Sequence, residues 1–233
     1  MDATEQARLK RAAAERAVQL VMPGTTIGLG AGTSALEAVR CLAERRVPDV
    51  RAVPCSPETE AECKRLGIAV AALAAGTPLT LTIDGADEVD PRLDLVKGHG
   101  GALLREKIVA EASLREVIVV DESKLSPVLG TLAPVPVEVV AFGWTRQVAF
   151  LEGLGARVSL RRAADGRPFL SVHGNWILDC VFGPIADPPG LAARLAERTG
   201  IVEHGLFLGL ATDVIVAGPG GVRHLTRPGA RRS

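Results

Sequence analysis

The sequence predicts an α/β fold, a parallel sheet covered by helices on both faces, joined to a smaller α+β unit. Three observations carry that expectation. Apolar β-branched runs without polar alternation recur, as at residues 117–120 (VIVV) and 214–217 (VIVA), and strands buried on both faces read this way. These runs alternate with helix-like stretches, the order expected of a parallel sheet. Several of them also break at once into glycine or acid, and such sheets bind ligands beyond the carboxyl ends of their strands.

At 233 residues the chain is long enough for one large domain or two modest ones. Hydrophobic residues make up 47% and charged ones 23%, an ordinary globular balance. The 27 basic residues offset 27 acidic ones, so no net field draws the chain to nucleic acid or an anionic membrane. With no Tyr and few other aromatics, a base-stacking surface is not expected either. No apolar run approaches the ~20 residues that cross a bilayer. Cys41, Cys55, Cys63 and Cys180 form no CxxC pair and no metal-like cluster. They are expected to be reduced, semi-buried thiols of a cytoplasmic protein.

The first 20 residues are charged, lack an apolar signal core and read as an amphipathic helix. Pro23-Gly24 turns the chain into a strand at 25–29. The loop Gly28-Leu29-Gly30-Ala31-Gly32-Thr33-Ser34 follows, then a helix at 35–43. Strand, glycine turn and helix make an anion cradle, because unpaired N–H groups and the helix dipole point at the ligand. Thr33 and Ser34 add hydroxyl donors. The same arrangement also serves as a plain strand-to-helix corner. A GxGxxG fingerprint counted from Gly28 fails at Thr33, and no Gly-Lys-Ser/Thr is present for a nucleotide P-loop. A small phosphate ester fits better than a nucleotide.

A strand at 50–53 comes next, then a helix opened by Ser56-Pro57 and stopped by Gly67. Strands at 68–73, 79–83 and 117–120 continue the sheet. The strand at 79–83 delivers Asp84, and the one at 117–120 delivers Asp121, Glu122, Ser123 and Lys124. Loop 28–34, the acids from Asp84 and the Asp121–Lys124 segment should therefore gather on one sheet edge.

The run from 82 to 107, TIDGADEVDPRLDLVKGHGGALLREK, is the centre of the chain. Asp84, Asp87, Glu88 and Asp90 come first, then Lys97 and the glycines Gly98, Gly100 and Gly101 around His99. A helix-like stretch with Glu106 follows. Buried acids are costly unless paired, and glycines cost entropy, so this stretch points to a site. On a wheel of 100° per residue, Leu104 and Ile108 share what should be the core face. Glu106 falls among Ala102, Ala110 and Ser113, which leaves room for a ligand against its carboxylate. A solvated surface Glu fits the same wheel.

Beyond Gly130 the texture changes. Pro134 and Pro136 bracket a linker. A strand at 135–142, a helix at 143–153 and a strand at 156–160 follow. Segments 168–172 and 176–181 read as a hairpin across His173-Gly174-Asn175, and 188–199 as a helix stopped by Gly200. Residues 214–217 return to the first sheet, and the tail RPGARRS is expected to fray. His173, His204 and His224 show no ligand spacing and read as structural.

Together these motifs resemble ribose-5-phosphate isomerase of the A type over essentially the whole chain. The matching pieces are GLGAGTSA from Gly28, DGADEVD from Asp84, KGHGGALLREKIVA from Lys97 and DESK from Asp121. PVEV from Pro136, GNWILD from Gly174 and GIVEHGLF from Gly200 complete them. The resemblance implies a Rossmann-like domain over residues 1–131, completed by 205–233, and a smaller ferredoxin-like α+β domain over 132–204. It implies cofactor-free interconversion of ribose 5-phosphate and ribulose 5-phosphate through an enediolate; no His/Cys/Asp cluster has the spacing of a catalytic metal site, so no metal is expected either. It casts Glu106 as the base, Asp84 and Asp87 as handlers of the sugar hydroxyls, and Lys97 as the group that stabilises the enediolate oxygen. Ala31, Gly32, Thr33, Ser34, Lys124 and Lys10 would line the phosphate end. Gly85, Ala86, Gly98, His99 and Gly100 would line the rest. It implies a cytoplasmic homodimer or homotetramer with a sugar phosphate as its partner. Ala31 and His99 depart from the family's commoner Thr and Gly. A sugar-phosphate-binding effector module is the alternative, although Glu106 with Lys97 would be idle there. A nicotinamide-dependent dehydrogenase fails at Thr33.

Overall fold

The structure, a computed structural model, describes residues 3–76 and 79–229. The chain begins with α1 (Ala3–Val18), β1 (Thr26–Leu29), α2 (Gly32–Arg45), β2 (Arg51–Pro54), α3 (Pro57–Arg65), β3 (Ala69–Val70) and β4 (Thr82–Asp84). It continues through β5 (Glu88–Val89), β6 (Leu95–Val96), α4 (Leu103–Glu111), β7 (Glu116–Asp121) and a 3-10 turn, Glu122–Lys124. Then come β8 (Val135–Val139), α5 (Trp144–Gly153), β9 (Arg157–Leu160), β10 (Trp176–Val181) and α6 (Pro188–Ala196). The last strands are β11 (Ile201–His204), β12 (Leu206–Phe207), β13 (Asp213–Gly218) and β14 (Gly221–Thr226).

Two units divide the chain. The first takes residues up to Ala86, Arg105–Leu125 and those from Gly209 onward; the second takes Asp87–Leu104 and Ser126–Leu208. Residues 87–104 and 126–131, expected with the first domain, and 205–208, expected to complete it, thus fall in the second, where β5 pairs with β6 and β6 with β12.

The first unit is built on a sheet in the order β14-β13-β7-β4-β1-β2-β3. Every neighbouring pair is parallel except β13 with β14. β7 and β13 are buried at every residue, as a sheet covered on both faces requires. From β1 the chain winds outward through β2 to β3, then returns to β4 on the other side of β1. The winding direction therefore reverses between β1 and β4, and α/β sheets place ligand crevices at such a point. With β7 beside β4, the three polar strand ends are neighbours, as the sequence predicts. Ala13, Ala14 and Ala17 of α1 are fully buried in the core with Ile27, Leu29 and Ile83. These small side chains let the helix lie close to the strands.

Local signals explain most boundaries. Ser56 caps α3 by accepting from the Thr59 N–H at 3.1 Å, Pro57 sits in its first turn, and Gly67 at φ 75° ends it. α2 begins three residues before its expected start. Gly32 takes φ 77°, so Thr33 and Ser34 fall in the first helical turn rather than ahead of it. The strand expected at 68–73 shrinks to Ala69–Val70, an edge strand with one neighbour. The strand expected at 79–83 begins only at Thr82, and Leu79 makes an isolated bridge to Ser113. The wheel of α4 is corrected too: Ile108 is 44% exposed, whereas Leu103, Glu106, Lys107, Val109 and Ala110 are buried. The inner face of this helix is carried by polar residues as much as apolar ones, so hydrophobic periodicity misplaces it.

The second unit has a β-α-β-β-α-β order from β8 to β11, in a sheet ordered β11-β8-β10-β9, the ferredoxin-like arrangement. Val135, Val137, Val139, Leu151, Leu178 and Leu195 fill its core. Pro136, read both as the edge of a linker and as part of the strand at 135–142, lies inside β8. Its carbonyl accepts from the Gly205 N–H at 2.7 Å, and its ring packs where a Gly205 side chain would stand. The ring finds room because the chain opposite it is glycine, and the N–H that proline lacks is not needed there, since the Gly205 carbonyl accepts from the Lys97 N–H at 2.9 Å. The expected hairpin is also corrected. Segment 168–172 forms no strand, only single bridges at Pro168 and Leu170, and β10 pairs with β8 and β9 instead. The Ser171 N–H donates to the Asn175 carbonyl at 2.8 Å, and both side chains donate to Glu138 of β8. β14, an antiparallel edge strand to which the sequence reading assigned no element, extends the first sheet; of the tail RPGARRS that follows it, residues 230–233 lie outside the described residues.

All four cysteines are free and buried, more deeply than expected. Burial pushes the thiols of Cys41 and Cys63 up to about 11. His204 is buried and its Nδ1 accepts from the Leu206 N–H, a structural contact as expected. No described helix is long and apolar enough to cross a membrane.

Candidate active site

In the first unit the site is organised by Asp84, the last residue of β4, which is 0% exposed. Its Oδ1 accepts from the Gly85 N–H at 2.7 Å and from the Ala31 N–H at 3.3 Å. The carboxylate is thus gripped by its own strand end and by the β1–α2 loop. Gly30 makes that approach possible: a Cβ there would lie 1.8 Å from Asp84 Oδ1. The loop is fixed from behind. Gly30 N–H donates to the Ile83 carbonyl at 2.9 Å, and its carbonyl accepts from Thr59 Oγ1 at 2.8 Å.

The first turn of α2 carries the expected phosphate donors. Ala31 is its N-cap residue and has no side chain to cap with. Gly32 and Thr33 are exposed and Ser34 is half-buried. Lys10 of α1 reaches the same turn, its Nζ 3.0 Å from Thr33 Oγ1. Ser34 packs against Gly85, where an added Cβ would meet the serine Cβ at 3.2 Å. At the end of β7, Asp121 folds the chain into its 3-10 turn by accepting from the Ser123 N–H at 3.0 Å and from Ser123 Oγ. That turn presents Lys124, which is half-buried. An anion placed here would meet helix N–H groups, hydroxyls and lysines. Glu106 also belongs to this unit. At 5% exposure on α4 it is not a solvated surface residue.

The second unit holds Asp87, Lys97 and the glycine turn. Lys97 follows β6 directly and is 3% exposed. Its N–H donates to the Gly205 carbonyl at 2.9 Å, and its ammonium lies 5.4 Å from the ring centre of Phe207. The aromatic face offers favourable electrostatics to a cation held out of water. Asp87 accepts from the His99 N–H at 3.1 Å, so backbone engages it while its side chain stays half-buried. Gly98 takes φ 107°, and a Cβ there would press on Leu103 and Pro136. The imidazole of His99 is exposed, and Gly100 borders open space.

The four acids that read as one cluster do different work. Glu88 is 0% exposed and accepts from the N–H groups of Gly130, Thr131 and Ala133, anchoring that loop. Asp90 accepts from the N–H groups of Arg92 and Asp94 and closes a turn. Glu88 and Asp90 are thus structural, whereas Asp84 and Asp87 stand at the strand end and beside the glycine turn. Sequence reading missed Arg161, which holds the glycine turn through its carbonyls, and the buried Lys107. Neither stands at a spacing that marks it. Among the described residues no group of three or more His, Cys, Asp and Glu could hold a metal ion.

Known proteins similar to this chain point to one family. The family model for ribose 5-phosphate isomerase A (phosphoriboisomerase A) matches residues 51–221. A ribose-5-phosphate isomerase A from Chloroflexus aurantiacus is 54% identical over 97% of this chain and 96% of its own length. One from Gloeobacter violaceus is 51% identical over 94% and 96%. Among solved structures, a D-ribose-5-phosphate isomerase in complex with phospho-erythronic acid superposes with a TM-score of 0.93 at 33% identity, covering 97% of this chain and 100% of that one. The enzyme from Plasmodium falciparum gives 0.91 at 33% identity, over 95% and 99%. These relatives are isomerases and lend no support to the effector-module alternative. On these matches of sequence and fold, the chain belongs to the ribose 5-phosphate isomerase A family.

Proposed function

We infer that this chain interconverts ribose 5-phosphate and ribulose 5-phosphate, moving one proton between neighbouring carbons through an enediolate. The observation that carries the reading is Glu106, a carboxylate 5% exposed on the helix that follows the glycine turn. A base sheltered from water is what abstraction of a proton beside a carbonyl requires. Glu106 takes the proton from C2 of the open-chain aldose and returns it to C1. Lys97 faces the oxygen on which negative charge develops, and the fixed cation lowers the barrier because it needs no reorganisation. Asp84 and Asp87 handle the sugar hydroxyls in ring opening and in the transfer of the hydroxyl proton.

The phosphate end falls to Ala31, Gly32, Thr33, Ser34, Lys124 and Lys10. Gly85, Ala86, Gly98, His99 and Gly100 line the sugar with backbone. The reaction is an internal redistribution of hydrogen and calls for no redox cofactor. By the same resemblance the enzyme works in the cytoplasm as a homodimer or homotetramer. Incubating the pure protein with ribose 5-phosphate and following ketose formation tests the assignment; no ketose from folded protein would refute it.

A further inference from the structure

Arg161, in the segment after β9, donates from Nη1 to the carbonyls of Gly98 at 3.0 Å and His99 at 2.7 Å. Its other edge forks onto Asp179 of β10, with Nε on Oδ2 at 2.9 Å and Nη2 on Oδ1. The side chain is only 10% exposed. Its backbone is fixed as well: the N–H donates to the Ile177 carbonyl and the carbonyl accepts from the Phe169 N–H, both at 2.9 Å. Phe169 stacks 5.7 Å from the guanidinium and occupies the space that a Gly101 side chain would need. A lysine could not reproduce this, because the grip needs donors along two edges of one plane.

The carbonyls of 98 and 99 belong to the peptides that carry the N–H groups of His99 and Gly100. In a trans peptide the C=O and N–H point in opposite directions, and no described peptide is cis. Pinning both carbonyls therefore aims both N–H groups away from Arg161. The first meets Asp87, whose Oδ2 accepts from it at 3.1 Å. The second is that of Gly100, an exposed residue where an added Cβ would meet nothing beyond its chain neighbours within 4 Å.

We propose that Arg161, held by Asp179, is a positioning residue for the isomerisation: it sets the two peptide planes that hold Asp87 and present the Gly100 N–H to the oxyanion. This rests on the reading of Asp87 and Lys97 as the groups beside the reacting atoms.

Steady-state kinetics on Arg161→Met, Asp87→Asn and the double variant test it. Arg161→Met should lower kcat about tenfold to a hundredfold while KM stays within about threefold, because uniform binding comes from the phosphate end. In the Asp87→Asn background the same change should cost less than about threefold, since part of what it positions is gone. Wild-type kcat in Arg161→Met, or equal losses in both backgrounds, would overturn the proposal. Should Arg161→Met fail to fold, Asp179→Asn loosens the fork with Arg161 in place. It should lose kcat several-fold and non-additively with Asp87→Asn, and an unchanged kcat would overturn the proposal equally. Asp87→Asn at wild-type kcat would refute the site reading and this proposal with it. An impaired Asp87→Asn beside an intact Arg161→Met would refute this proposal alone.

Discussion

The carboxylate of Asp84 occupies the space beside Gly30 that any side chain would need, 1.8 Å from where a Cβ would stand. Gly28, two residues earlier, is equally crowded, but its neighbours are Thr82 and Val109. Both glycines are therefore required by close approach, and for different reasons. Overpacking a site of this kind costs about 1–3 kcal/mol. Gly30→Ala and Gly28→Ala should both lower the melting temperature. Only Gly30→Ala also pushes the acid out of its grip, so it should lose kcat at least about tenfold more than Gly28→Ala. Equal kcat in the two folded variants would show that the position of Asp84 is not critical.

The phosphate end predicts a different signature. Thr33, Lys10 and Lys124 would hold a group that does not react, so their contacts act alike in the ground and transition states. Losing one charge-assisted hydrogen bond costs about 1.5–3 kcal/mol, or about tenfold to a hundredfold in KM. Lys124→Ala should show that rise with kcat nearly unchanged. An unaltered KM would remove Lys124 from the phosphate site.

What was legible in the sequence is what local chemistry writes there. Glycine loops and acids at strand ends announced β1, β4 and β7 and their polar edge, because each ends a buried run abruptly. The face of α4 was not legible, since Glu106 and Lys107 share the buried side with Val109 and Ala110 while Ile108 points outward. The place of Pro136 depends on Gly205, far along the chain, and no local rule contains that pairing. Glu88 looked like its neighbours Asp84 and Asp87 until its three backbone partners at 130–133 were in view. Arg161 is the same case. Its value lies in carbonyls 62 and 63 residues away.

His99 separates backbone from side chain. Its N–H serves Asp87 and its carbonyl serves Arg161, but the imidazole is exposed. Both backbone contacts survive in glycine. His99→Gly should therefore leave kcat within a few-fold of wild type, and a loss above about a hundredfold would give the imidazole a part in the reaction.

Away from the site, Asp213 at the start of β13 makes the stability of the first unit depend on pH. Burial opposes its ionisation, but hydrogen bonds from Arg115, Thr212 and His224 outweigh that and hold the carboxyl below its usual range. Arg115 forks onto it at 2.8 and 3.1 Å, and His224 Nε2 lies 2.7 Å away. A depressed folded-state pKa contributes stability that is fully present above the unfolded value. That contribution is lost as pH falls through the folded one. Asp213→Asn should be less stable near neutrality by on the order of 2 kcal/mol. The gap from wild type should begin to narrow as pH drops below about 4, the unfolded value, and go on narrowing toward the lower folded one. Melting curves from pH 3 to 7 would show it, and a gap constant across that range would disprove the ionic role.

The proposed mechanism rests on Glu106. Glu106→Gln keeps the shape and most of the hydrogen bonding but cannot accept a proton. A positioned general base contributes about 10²–10⁴ in rate, so kcat should fall by that factor. Sugar-phosphate affinity, supplied at the other end of the substrate, should survive. In D₂O the wild-type enzyme should place deuterium on the carbon next to the carbonyl, because the base exchanges its proton with solvent while the enediolate lives. A base that returns the same proton before exchange would hide the label, so turnover of the variant is the sharper test. Near-normal kcat in Glu106→Gln would mean that another carboxylate does the abstraction. Asp84, fully buried at the end of β4 and gripped by two backbone N–H groups, would be the first to replace next.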